Sequence, residues 1–182
     1  MIGIVFLLNL EYAPFIKKYT AELEAQGKEF EIISWERLES DYSVPWNTIA
    51  YKKRGNLSDN KFQKLISFLG FRKFLLKTLN KKKYEKLIVL TTLAGMFIGD
   101  CLIRNYKGKF IFDIRDYTFE KNVIFRFFEK MLIKASYFTA ISSEEFKEFL
   151  PDIDKYIISH NIIMDEVSIA DEFIPSRSKD KI

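Results

Sequence analysis

The chain has 182 residues, enough for one α/β domain with a full core and too few for two. With 48% hydrophobic and 30% charged residues it is an ordinary globular sequence, which excludes disorder, and the scarcity of glycine and proline points to long regular elements joined by few loops. A single cysteine, Cys101, rules out an intrachain disulfide, and a single histidine, His160, rules out a His/Cys zinc site, so acid–base chemistry falls to Asp and Glu.

The apolar run from Ile2 to Leu8 predicts a strand buried on both faces of a parallel sheet. It has no basic leader and meets Glu11 early, so it does not read as a signal peptide. Pro14 opens a helix that closes at Gly27. Phe30 to Trp35 reads as a second strand and Thr48 to Lys52 as a weaker third. Phe62 to Leu79 has helical spacing, with Gly70 as a candidate break. Lys86 to Thr92 is a buried strand, Leu93 to Tyr106 its helix, and Lys109 to Ile114 the next strand. Glu120 to Ala135 is an amphipathic helix carrying Val123, Ile124, Phe127, Phe128 and Met131 on one face. Tyr137 to Ile141, a short helix from Ser143 to Phe149 and a strand from Tyr156 to Ser159 complete the series. Such alternation predicts an α/β fold, a Rossmann-like open parallel sheet of about seven strands with helices on both faces.

No span is long enough for a membrane helix. The longest uncharged stretch runs only from Leu87 to Gly99, against the ~20 residues required. The expected location is the cytoplasm. Net charge is +4, but Lys52 to Lys86 holds 12 basic residues against two acidic ones, a balance of +10 that leaves −6 for the remainder.

In open parallel sheets ligands bind beyond the carboxyl ends of the strands. Those positions here are Asn9 to Tyr12, Thr91 and Thr92, Arg115 to Tyr117, Ser142 and Ser143, and His160 with Asn161. Most can exchange several hydrogen bonds, as sugar hydroxyls require. Asp113, Arg115 and Asp116 form the most informative cluster. A carboxylate beside a guanidinium stays ionised and can bind a hydroxyl or take its proton, while the guanidinium holds a phosphate; the same pair can equally staple a loop. Ser142 or Ser143 reads as a helix cap, with Glu144 and Glu145 complementing the dipole.

Three segments, FDIRD at 112–116, YFTAISSEEF at 137–146 and YIISHNI at 156–162, follow one another as in the N-terminal domains of GT-B glycosyltransferases. The chain resembles the retaining, family-4-like enzymes of bacterial surface polysaccharide synthesis, over residues 85 to 165 most clearly. The resemblance implies an acceptor-side domain at 1–174 and the start of a linker at 175–182. It implies a separate C-terminal domain that binds the nucleotide-sugar donor, and no cofactor in this domain. It places Asp116 as the catalytic residue, and Asn9, Glu11, Tyr12, Thr92, Arg115, Tyr117, Ser142 and Asn161 around a glycan or lipid-linked acceptor. The polypeptide alone is then inactive.

The basic segment carries two apolar faces. At 100° per residue Phe62, Leu65, Ile66, Leu69 and Leu76 share one, expected to pack on the sheet. Phe68, Phe71, Leu75 and Leu79 form the other, which with Arg72, Lys73 and Lys77 suits peripheral contact with an anionic membrane. Two other readings share the fold: a Rossmann-like adaptor, and a module using this basic surface for nucleic acid. No nucleic-acid motif supports the latter. A dinucleotide oxidoreductase is excluded because residues 9–14 lack the glycines that bring backbone to a pyrophosphate.

Overall fold

The computed structural model describes residues 1–53, 60–115 and 122–160. Its seven strands are β1 (Ile2–Val5), β2 (Phe30–Trp35), β3 (Thr48–Tyr51), β4 (Lys86–Leu90), β5 (Phe110–Ile114), β6 (Phe138–Ile141) and β7 (Tyr156–Ile158). All neighbours pair in parallel, in the order β3-β2-β1-β4-β5-β6-β7. The chain starts in the middle, winds to one edge, crosses back and winds to the other, which creates a switch point between β1 and β4. The open parallel sheet anticipated from the apolar runs is therefore the observed architecture.

Successive side chains on a strand point to opposite faces, and each face builds its own core. Ile4, Phe6, Ile32, Ile88 and Leu90 meet α1 (Ile16–Ala25) through Ile16 and Leu23. Val5, Ile33, Trp35, Val89, Phe112 and their neighbours meet α2 (Lys61–Lys82), α3 (Thr92–Phe97), α4 (Gly99–Asn105) and α5 (Val123–Ala135). Helices cover both faces, but unevenly. β2 reaches β3 without a helix, against the regular alternation expected.

Local chemistry sets the element ends. Gly27 takes φ +61 just past α1, the left-handed turn that lets Lys28 N–H reach the Leu23 carbonyl at 2.8 Å. Asn60 and Gln63 form a reciprocal capping box at the start of α2. Gly70 does not break α2. A Cβ there would stand 2.5 Å from the Tyr51 hydroxyl, so the glycine is needed for close approach. The helix expected from Leu93 to Tyr106 is instead two, separated at the fully buried Ile98. The helix expected after β6 is a 3-10 segment, Glu144–Glu148, and Ser143 makes no side-chain cap to it.

The two faces of α2 are the reverse of the sequence expectation. Phe71, Leu75 and Leu79 are buried at 0–2% exposure and Phe68 packs against the same core, so none of them faces a membrane. Of the face expected inside, Phe62, Leu65, Ile66 and Leu69 are 45–69% exposed, and only Leu76 is half-buried against the core. Arg72 is also committed, donating to both Asp100 oxygens at 3.0 and 2.9 Å. The reason is length. Twenty-two helical residues span about 33 Å, roughly twice the reach of a five-residue strand. Phe71 stacks on Trp35, the last residue of β2, with centroids 5.4 Å apart, so the helix before Phe68 runs past the end of the sheet.

Candidate functional site

Two neighbouring arrangements occupy the carboxyl edge. Over β1 and β2 lies an open polar cleft of about 500 Å³, lined among others by Asn9, Glu11, Ser34, Glu36, Ser40 and Lys52. Asn9, 4% exposed, spends its amide on the chain: Oδ1 accepts from Arg37 and Leu38 N–H at 2.9 and 3.0 Å, and Nδ2 donates to the Leu38 carbonyl at 2.8 Å. It fixes the loop after β2 and thereby the wall of the cleft. Glu11 accepts from the Ser40 hydroxyl, and Lys52 lies 3.6 Å from Glu36. These acids, hydroxyls and one lysine face solvent-accessible space, a set suited to polyhydroxylated ligands.

The second arrangement, at the ends of β4, β5 and β7, is closed. Asp113 exposes nothing. Arg115 Nε donates to its two oxygens at 2.8 and 2.9 Å, and the same guanidinium reaches the Ser159 carbonyl at 3.1 Å and its hydroxyl at 3.2 Å. Its Cζ lies 4.3 Å from the Phe15 ring centroid, a cation–π contact. Tyr19 donates to Asp113 Oδ2 at 2.8 Å. Burial and the nearby carboxylate push the Tyr19 phenol well up, so it remains a donor. Burial likewise raises the Asp113 carboxyl, against the opposing pull of Arg115 and Tyr19. Arg115, 7% exposed, thus ties β5 to β7 and α1. Of the two roles open to it in the sequence, stapling is the one its geometry fills.

Beside this cluster the chain leaves β4 under strain. Thr91 holds φ 77, ψ 146, costly for a β-branched residue, and Thr92, 5% exposed, has a buried Oγ1 with no hydrogen-bond partner. Unpaired buried hydroxyls are rare because each costs about 1–3 kcal/mol.

Of the expected site residues, the fold brings Asn9 and Glu11 together in the cleft and seats Thr92 and Arg115 at the adjoining strand ends. Tyr12 is 53% exposed on a 3-10 turn, Leu10–Tyr12, and Ser142 is half-buried after β6. Asp116, Tyr117, Asn161 and the boundary at 174 lie outside the described residues. Ser34, Glu36, Ser40 and Lys52 were missed. Glu36 and Ser40 carry a sequence signal, since they follow the apolar run of β2, whereas Ser34 and Lys52 reach the cleft only through the pairing of β2 and β3 beside β1.

A seven-stranded parallel sheet with this switch point and a polar carboxyl edge defines a Rossmann-like α/β domain. No protein-family model and no curated protein matches the sequence. Among solved structures the chain is similar to sucrose-phosphate synthase from Thermosynechococcus elongatus, with a TM-score of 0.62 and 13% identity over 88% of this chain and 48% of that one. A second structure of that enzyme gives a TM-score of 0.62 at 11% identity, covering 93% of this chain and 94% of that one. The chain thus spans about half the length of the first. The likeness is one of fold, and it agrees with the Rossmann-like open parallel sheet expected from the sequence.

Proposed function

We propose that this chain is the acceptor-binding domain of a glycosyltransferase that moves a sugar from a nucleotide-sugar donor to a glycan acceptor, one carried on a lipid in surface polysaccharide synthesis. The observation that carries the reading is the polar cleft beyond β1 and β2, set beside the strained Thr91 and the unpartnered Thr92 hydroxyl. Glu11, Glu36 and the serines bind acceptor hydroxyls there, and Thr92 Oγ1 supplies a further bond that folding leaves unused. Asp116, directly after the Arg115 staple in sequence, takes the proton from the attacking hydroxyl. Arg115 acts through position, since it holds the segment from which Asp116 departs. The donor and its phosphates belong to a second, C-terminal lobe, and no cofactor takes part in this domain.

The test is a backbone-amide NMR titration of the chain with a panel of mono- and disaccharides. Saturable shifts at Glu11, Ser34 and Glu36 are expected. If no sugar in the panel moves these amides, the acceptor reading fails. With the donor-binding lobe present, Asp116→Ala abolishes transfer at unchanged melting temperature; undiminished turnover removes that residue from the mechanism.

A further inference from the structure

We infer that the overhanging half of α2, together with α5, forms a surface that docks on an anionic lipid bilayer. On α2 the outward residues are Phe62, Leu65, Ile66 and Leu69. On α5 they are Val123, Ile124, Phe127, Phe128 and Met131, at 36–78% exposure. Both helices pack on the same face of the sheet. Between them Phe68 stacks on Phe97 of α3 with centroids 5.0 Å apart, and a groove of about 390 Å³ beside α5 is lined by Met96, Ile103, Phe128, Met131 and Leu132 together with the ion-paired Asp100 and Arg104. Exposed apolar surface of this extent is uncommon on a protein that meets only water.

Charge selects the occupant. α2 contains no Asp or Glu, and the single acid of α5, Glu129, is 7% exposed. Asp100, between the helices, is held by both Arg72 and Arg104. Lys73, Arg126 and Lys130 are exposed around the apolar residues. An apolar surface fringed by cations and, among the described residues of the two helices, without an exposed carboxylate complements a bilayer with anionic headgroups. A symmetric pairing of two copies through this patch brings cation against cation. The exposed Phe62, Phe127 and Phe128 are outnumbered by Leu65, Ile66, Leu69, Val123, Ile124 and Met131, which offer nucleic-acid bases no stacking platform.

The surface also has a defined relation to the cleft. Phe62, Leu65 and Ile66 precede Phe68 and Phe71, the α2 residues whose rings meet Trp35 at the end of β2, and so lie toward the carboxyl edge. The far end of α5 returns to the amino edge, where Gly108 N–H meets the Ala135 carbonyl at 2.7 Å, so its exposed first half lies toward the same edge as the cleft. A bilayer contacted here flanks that edge.

The inference does not rest on sugar transfer, and its test uses vesicles without glycolipid so that the two readings fail separately. The whole chain is sedimented with phosphatidylcholine vesicles containing a quarter phosphatidylglycerol, and with phosphatidylcholine alone, at low and high salt. Partitioning at least tenfold stronger on the anionic vesicles, weakened by salt, is expected. Leu65→Asp with Phe127→Asp, both at exposed positions, lowers it at least tenfold while leaving circular dichroism and melting temperature at parental values. No binding at low salt, or binding indifferent to the double substitution, overturns the inference. So does self-association at micromolar concentration that the same substitutions abolish, since that makes the patch a subunit interface.

Discussion

The Tyr19 hydroxyl donates to Asp113 Oδ2 at 2.8 Å, joining α1 to the carboxyl end of β5 at a carboxylate that exposes no surface. Arg115 fills the remaining side of that carboxylate and continues to Ser159, so one buried ion pair ties together α1, β5 and the end of β7. Removing one charge of such a pair leaves the other buried without compensation. Asp113→Asn is therefore expected to destabilise the domain by about 3–5 kcal/mol, read from the midpoint of urea unfolding. A loss under 1 kcal/mol removes the staple from the account of this edge.

Thr92→Val replaces an unpartnered buried hydroxyl with a methyl of nearly the same shape. Without ligand the variant is expected to be about 1 kcal/mol more stable than the parent, because the desolvation penalty disappears and no bond is lost. Saccharide affinity should fall in the same variant. Stability and binding moving in opposite directions is the signature sought, by thermal melting and NMR titration together.

Glu31, 5% exposed, accepts from Lys82 and Tyr84 at 2.8 Å each and from Asn47 at 2.9 Å. Burial pushes its carboxyl upward, but the Lys82, Tyr84 and Asn47 bonds and the Lys82 charge outweigh this and hold it below its ordinary 4.5. A depressed carboxyl binds fewer protons folded than unfolded. Its contribution is complete above about pH 4.5 and is lost as pH falls through the lower folded value. Glu31→Gln should cost about 1–3 kcal/mol at neutral pH and flatten the acid limb of the stability curve. An unchanged limb dissociates Glu31 from the acid response.

Gly95 sits in α3, where alanine normally favours a helix. A Cβ at this position stands 2.4 Å from Phe112 Cε2, on a ring that is itself fully buried. Gly95→Ala is expected to destabilise by about 1–3 kcal/mol, since overpacking exceeds the gain in propensity. Denaturant titration decides it, and a stabilised variant means the ring has room to move.

The orientation of α2 can be tested by truncating each of its faces. Phe71→Ala removes a fully buried ring stacked on Trp35 and should cost about 3–5 kcal/mol. Phe62→Ala, at a 69% exposed position, should lie within about 0.5 kcal/mol of the parent. The reverse ranking restores the face assignment suggested by periodicity.

Much of the architecture was legible before any coordinates. Runs such as KLIVL and FIFDI are apolar without alternation, and only a strand covered on both faces tolerates that pattern. The cleft was half legible. Asn9 and Glu11 announced themselves as polar residues directly after an apolar strand, whereas Ser34 and Lys52 gain meaning only because β2 and β3 flank β1 on the cleft side. Asp113 and Arg115 were visible as a pair, but their commitment to Tyr19 and Ser159 was not, for those partners are 94 and 44 residues away in the chain.

By itself the sequence determined that the chain makes a parallel α/β sheet, because hydrophobic period and strand–helix order are local properties that any compact arrangement must respect. Tertiary structure alone decided which side of α2 turns inward. Both of its faces are apolar and both are edged with lysine, so periodicity could not settle the choice between them; it followed from where the sheet ends beneath a helix twice as long as its strands. The same is true of Arg115, whose charge could serve a ligand or the fold until distant chain segments closed around it.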